Sequence, residues 1–210
     1  MVNSQKLSVK TPTVVFVEFE SLVAGFLIAN RDLHDLIVAR YTELIKYQNR
    51  AYADDFLGYL SDFQKAESSR EISDSALLAA VSRNLFKLMA YKDEYEVARL
   101  SIDPEVKKRV ELQFGVGSEM TFMLHPPMLR AMGMKKKLHL GSWFKPFFGI
   151  LAKLKSIRGS KLDFFGYAKV RKVERALIIQ YKTEIFGLLP LLNAANYDVA
   201  IKIAELPDLI

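Results

Sequence analysis

Leu33, Ile37, Tyr41, Leu44, Gln48, Tyr52, Phe56, Tyr59 and Phe63 recur at steps of three and four, which places one stripe on one or two long helices. Asn30 or Asp32 supplies the N-cap, because a short polar side chain there can accept a hydrogen bond from the first free backbone N–H groups. The polar stretch SSREISDS (68–75) interrupts the pattern. Leu78, Val81, Leu85, Leu88 and Met89 then form a second stripe, with Arg83, Lys87 and Glu94 on the opposite face. If that helix continued unbroken, Lys92, Glu96 and Arg99 would rotate onto the buried side, where unpaired charge is costly. A break near Asp93 is therefore expected, with Asp93 capping a new short helix and Glu96, in its third position, reaching back to it.

The centre of the chain, Phe114 to Leu140, carries Gly115, Gly117, Pro126, Pro127, Gly133 and a run of three lysines, a density of breakers that punctuates helices. Met120 to Leu124 reads as a short strand entering a rigid His125-Pro126-Pro127 turn. Five methionines cluster in this stretch, where adaptable side chains suit loose packing or a partner surface. Beyond it, Trp143 to Ile157 predicts an aromatic-rich helix with Trp143, Phe147, Ile150, Leu151, Leu154 and Ile157 on its apolar face and Gly159 as its stop. A loop, GSKLDFFGY, follows. Val170, Val173, Leu177, Ile178, Tyr181, Ile185 and Leu188 mark another amphipathic helix ending before Pro190, and a last short helix spans about 195–206. The expected fold is mainly α: a single domain of five to eight helices with an irregular Gly/Pro-rich centre and at most a short strand pair. Residues 1–31 form an N-terminal arm or first helix, and 32–210 the helical domain.

Composition narrows the function classes. The chain has 210 residues and no cysteine, so it offers no disulfide framework, no thiolate ligand for an iron–sulfur cluster and no nucleophilic thiol. The apolar run Val14 to Ala29 carries Glu18 and Glu20 and falls short of the ~20 residues that span a bilayer, so it reads as a buried helix or strand. No membrane span is expected, and the expected location is cytoplasmic. Net charge is +6, and twelve Lys or Arg against Asp163 and Glu174 lie between Lys135 and Arg175. Such asymmetry suits an electrostatic docking face for nucleic acid, an anionic membrane or an acidic protein. No helix–turn–helix, zinc-finger or RNA-stacking motif accompanies it, so specific nucleic-acid binding is not expected.

Motifs further along the chain point to a family. AAVSRNLFKLMAYKDEYEVARL (79–100), LHPP (124–127) and RGSKLDFFGY (158–167), in that order, resemble the C-terminal domain of the fused, indolepyruvate-type 2-oxoacid:ferredoxin oxidoreductases. ARYTELIKYQNRAYADDF (39–56), KVRKVERALIIQY (169–181) and AELPDLI (204–210) extend the resemblance over residues 32–210, although the arginine-glycine-rich end usual in that family does not follow. The resemblance implies a parent enzyme that uses thiamine diphosphate and iron–sulfur clusters to decarboxylate aryl 2-oxoacids oxidatively to acyl-CoA, with ferredoxin as electron acceptor. Its clusters and thiamine diphosphate would be held outside this chain. The implied partners are the remainder of the parent oxidoreductase, a second copy in a homo-oligomer, and ferredoxin through the basic 135–175 segment.

By itself the sequence assigns no reaction to the chain. It contains no GxSxG, glycine-rich phosphate loop, GxGxxG, HExxH or thiamine-type GDG stretch. Asp54/Asp55 and Asp93/Glu94 are adjacent and point to different sides of a helix. His34 and His139 show no helical metal-ligand spacing with His125, which reads as a buried histidine bonded to backbone. No catalytic, cofactor-binding or metal residue is assigned. The residues that packing explains least are Arg83, Asn84, Lys87, Tyr91, Lys92, Glu96, His125, Arg158, Asp163 and Tyr167, with Gly159 and Gly166 beside them. They are expected to form one polar network at an interface, with Arg158 and Lys87 paired to carboxylates such as Asp163 or Glu96. Three functions follow: a non-catalytic structural or assembly domain of such an oxidoreductase; alternatively a stand-alone basic module for an acidic protein, nucleic acid or membrane surface; or a small independent enzyme.

Overall fold

The structure is a computed structural model and describes residues 30–69, 75–118, 121–124, 135–136, 138–140 and 144–209. The long apolar stripe divides into two helices. α1 (Arg31–Tyr47) is capped by Asn30, whose side chain accepts from the N–H groups of Asp32 and Leu33, and α2 (Arg50–Ser68) is capped by Asn49, which accepts from Tyr52. The second cap lies inside the stripe, so the chain turns between Gln48 and Asn49 while the apolar positions stay in register.

α3 (Ala76–Met89) is buried on most of its circumference and packs against α1 and α2 and two later helices, α7 (Lys169–Leu188) and α8 (Tyr197–Ala204). This arrangement encloses the larger core, in which Ile37, Leu44, Phe56, Leu60, Phe63, Val81, Leu85 and Met89 are fully buried. The expected break follows α3: α4 (Glu94–Ile102) starts anew with Asp93 as cap, its carboxylate accepting from Glu96 N–H at 2.8 Å. The Glu96 side chain does not reach back. It forks onto Arg99 at 2.8 and 2.7 Å instead.

Asp103 then ends α4 and caps α5 (Pro104–Phe114), a helix with no buried residue. In the centre, β1 (Phe122–Leu124) pairs antiparallel with β2 (Leu138–Leu140), matching Phe122 with Leu140 and Leu124 with Leu138. His125, Pro126 and Pro127 lie outside the described residues, as do Trp143 and the 1–29 segment with its apolar run.

α6 (Lys145–Lys153) runs into a 3-10 turn (Leu154–Ile157), and the chain reverses at Gly159 with φ +77°. Its buried face keeps Leu151 of the expected one and otherwise differs. Phe148 and Leu151 face Tyr95 and Ala98 of α4 in a second, smaller core, whereas Phe147, Ile150 and Leu154 are exposed. In α7, Tyr181 and Ile185 are buried as expected, but at its start the expectation is corrected: Val170 and Val173 are half exposed while Arg171 is buried. The first turns of α7 pack against the loop before it through arginines and meet the larger core only further along. No helix among the described residues is long and apolar enough to cross a membrane.

Candidate functional site

Arg158 lies between the two cores. Its side chain is 3% exposed, and its Nε and Nη2 fork onto Asp93, the latter at 2.8 Å to Oδ1. Nη1 donates to the Tyr47 carbonyl at 2.6 Å, at the end of α1, and the guanidinium lies 3.6 Å over the Tyr47 ring and 5.5 Å from that of Tyr95. Burial, the largest single influence, makes the cation easier to deprotonate, but the Asp93 hydrogen bonds together with the charges of Asp93, Tyr47 and Tyr91 outweigh it and raise the Arg158 pKa. One carboxylate thus caps α4 and neutralises the arginine that ties α1 to the 154–159 turn.

Tyrosines complete this hub. Tyr47 OH donates to the Tyr91 carbonyl and Tyr52 OH to the Met89 carbonyl, both at 3.0 Å, satisfying the acceptors freed where α3 stops. Lys155 Nζ does the same at the end of α1, donating to the Ile45 and Lys46 carbonyls at 3.1 and 2.5 Å. Burial, followed by the nearby Arg99 and Arg158 charges, lowers the Lys155 pKa. Burial raises the pKa of Tyr47, Tyr52, Tyr91 and Tyr95, and Asp93 or Asp163 beside them adds to it.

Asp163 organises the late loop. It is buried, and accepts from Gly159 N–H at 2.7 Å, Gly166 N–H at 2.9 Å and Tyr95 OH at 3.1 Å. Arg175 closes the loop from α7, donating from Nη2 to the Gly166 carbonyl at 2.6 Å and lying 3.9 Å from Asp163. Gly166 leaves no room for a side chain: a Cβ there would lie 2.2 Å from Asp163 Oδ2. Beside the loop, Arg171 forks onto Glu174 and lies 3.4 Å from Glu94, whose pKa is raised by burial against the opposing pull of Arg171.

The expected single network is therefore two. Arg158, Asp163, Tyr91 and Glu96 belong to the hub and its surroundings. Arg83, Asn84 and Lys87 instead grip the chain's last turns: Arg83 faces Glu205 at 3.8 Å, Asn84 reaches Asp208 at 3.5 Å, and Lys87 donates to the Pro207 carbonyl at 2.5 Å. Arg158 pairs with Asp93 rather than Asp163 or Glu96, because Asp163 is filled by two N–H groups of its own loop and by Tyr95 OH of α4, and Glu96 by Arg99. Tyr167 is 60% exposed, with its hydroxyl on the Lys161 carbonyl, and Lys92 is exposed. Sequence reasoning missed Tyr47, Tyr95, Lys155 and Arg171 as members. For Arg171, the spacing of three to Glu174 was the available signal.

Two hollows adjoin these groups. One, of about 240 Å³, is bordered by the polar and charged residues Ser160, Lys161, Asp163, Tyr167, Lys172 and Arg175. The other, of about 130 Å³, is largely apolar and lies between α7, α8 and the last turn. Among the described residues no three His, Cys, Asp or Glu side chains converge as a metal site would require.

The fold and its hub define a helical domain in which the buried charged groups bind one another and the helix ends. The chain belongs to a family of unknown function, DUF6537, whose model matches residues 33–210. Neither the curated proteins nor the solved structures contain a match.

Proposed function

We propose that this chain is a structural and assembly domain of a 2-oxoacid:ferredoxin oxidoreductase of the indolepyruvate type, and that it does no chemistry itself. The observation that carries the non-catalytic part is the hub: the forks and oxygens of Arg158, Asp93 and Asp163 are taken up by protein partners, leaving them to fix helix ends and a loop. Those residues lie in the segments that carry the resemblance, so the resemblance and the geometry bear on the same positions. An assembly role is favoured by the exposed side chains of Phe147, Ile150, Leu154, Leu162 and Phe164, which lie on one stretch of chain with the exposed Lys145, Lys153 and Lys161.

Thiamine diphosphate and iron–sulfur clusters would belong to other parts of the parent enzyme. The absence of cysteine means this chain contributes no thiolate to a cluster, and the reading routes no step through its residues. Ferredoxin docking on the 135–175 segment and homo-oligomer formation are part of the same proposal.

The test uses the intact polypeptide that carries this chain. Arg158→Ala and Asp163→Ala are expected to lower stability or assembly while turnover per assembled site, measured as indolepyruvate- and coenzyme A-dependent ferredoxin reduction, stays near normal. Intact assembly with turnover abolished would place these residues in an active site and overturn the reading. Conversion of indolepyruvate by purified residues 1–210 alone would overturn it too.

A further inference from the structure

The hollow beside the late loop has an electrostatic imbalance that the fold does not use. Lys161, Lys172 and Arg175 border it, against the single carboxylate of Asp163. That carboxylate is already occupied by Gly159 N–H, Gly166 N–H and Tyr95 OH, and Arg175 is engaged with Gly166 and Asp163. The hollow therefore carries a surplus of two positive charges. Neither Lys161 nor Lys172 has a side-chain ion-pair or hydrogen-bond partner among the described residues, whereas the arginines around them, Arg158, Arg171 and Arg175, are all engaged.

Further donors converge on the same place. Ser160 Oγ accepts from Leu162 N–H and keeps its own hydroxyl proton to donate. α7 starts at the mouth with no capping side chain and no acidic residue in its first turn, so its positive end adds to the potential of Lys169 and Lys172. The loop is held rigid by the Asp163 bonds and by the close fit at Gly166, so these groups are ordered before any ligand arrives.

We propose that this hollow is a binding site for a small, doubly charged oxyanion, either a phosphate monoester or a dicarboxylate. Lys161, Lys172 and the Ser160 hydroxyl hold it while Arg175 supplies charge from below. The site goes beyond the assembly reading and does not depend on it. Its about 240 Å³ accommodates the anionic head of a metabolite and leaves the rest of the molecule at the surface beside Tyr167.

The experiment is calorimetric titration of the 210-residue chain with inorganic phosphate and, separately, with succinate, against sodium chloride at equal ionic strength. Saturable binding of one of them at millimolar concentration or below is expected. The Lys161→Ala/Lys172→Ala double variant should weaken it by about tenfold or more, since it removes both charged donors. Both lysines are exposed, so the melting temperature of the unliganded variant should match that of the parent chain. Preference for phosphate identifies a monoester ligand and preference for succinate a dicarboxylate. No saturable binding of either, or equal binding by the double variant, overturns the proposal. Normal assembly of the double variant in the intact polypeptide would show that this site and the assembly role are separate.

Discussion

Asp93 has two tasks that substitution can separate. As an N-cap it needs one acceptor oxygen for Glu96 N–H, and as the partner of Arg158 it needs a negative charge. Asp93→Asn preserves the cap, because asparagine caps as well as aspartate, but leaves a buried guanidinium unneutralised. Its loss of unfolding free energy in urea should be close to that of Arg158→Ala, about 3–5 kcal/mol. If Asp93→Asn costs only the few tenths typical of a surface change, the charge pairing is not what holds the hub. Gly166 and Gly58 provide a second contrast at this scale. A Cβ at Gly166 meets Asp163 Oδ2 at 2.2 Å, whereas one at Gly58, inside α2, meets nothing within 4 Å. Gly166→Ala should therefore cost about 1–3 kcal/mol through displaced packing, and Gly58→Ala should add about 0.5–1 kcal/mol through helix propensity. Thermal melts of the two variants should shift in opposite directions.

At the level of elements, what could be read from sequence depended on how many neighbours decide an element's orientation. α1, α2 and α3 line one core, and their stripes at three- and four-residue steps named Leu33, Ile37, Tyr41, Leu44, Phe56, Phe63, Leu78, Val81, Leu85 and Met89 correctly, but missed Leu57 and Leu60 and took in Tyr52, Tyr59 and Leu88, which are only partly buried. The break at Asp93 was legible because continuation would have buried charge. α6 misled because it is apolar over more than half its circumference. Periodicity placed Leu151 on the buried face but could not choose between Phe148, which faces α4 with it, and Phe147 and Ile150, which do not. Arg158, Asp163 and Glu96 were legible as polar positions, but neither their pairing nor their separation from Arg83, Asn84 and Lys87 was. Which carboxylate Arg158 meets depends on a loop closed by Asp163 and on a tyrosine-lined gap between helices, and neither leaves a spacing in the chain. Tyr52 illustrates the gap: its place in the stripe reads as core, yet its hydroxyl satisfies the Met89 carbonyl at the end of α3. Tyr52→Phe leaves that acceptor unpaired and should lower stability by about 1 kcal/mol, with faster amide exchange at the end of α3 than in its middle.

Across the whole molecule, the buried phenols set an alkaline limit. Tyr41 is pushed up to about 12 from its ordinary 10.0 by burial and by its hydrogen bond to Asp54, and burial likewise raises Tyr47, Tyr52, Tyr59, Tyr91, Tyr95 and Tyr181. Above the ordinary value the unfolded chain releases these protons while the folded chain keeps them. The folded state then binds more protons, and stability falls as pH rises. The contribution is fully present below about pH 10 and is lost from there towards 12 and beyond. Melting temperature should stay nearly level as pH approaches 10 and then drop steeply. Ultraviolet titration should show most of the phenols ionising only as the chain unfolds. Gradual ionisation of all the tyrosines near pH 10 with the fold intact would contradict their burial.

The bonds of Arg158 span 65 residues to Asp93 and 111 to Tyr47. On a ribosome adding about 5–20 residues each second, several seconds separate the emergence of Asp93 from that of its counter-ion. During that interval α1, α2 and α3 can begin to gather around their shared apolar faces, but the Tyr47 carbonyl and the Asp93 carboxylate must stay in water, which holds apart the ends of α1 and α4 that the arginine later joins. A nascent chain stalled short of Arg158 should consequently be cleaved by protease near Ala90–Asp93, and one extended through Gly166 should resist there, so closure of the hub is timed by the arrival of a single side chain, before α7 and α8 complete the larger core.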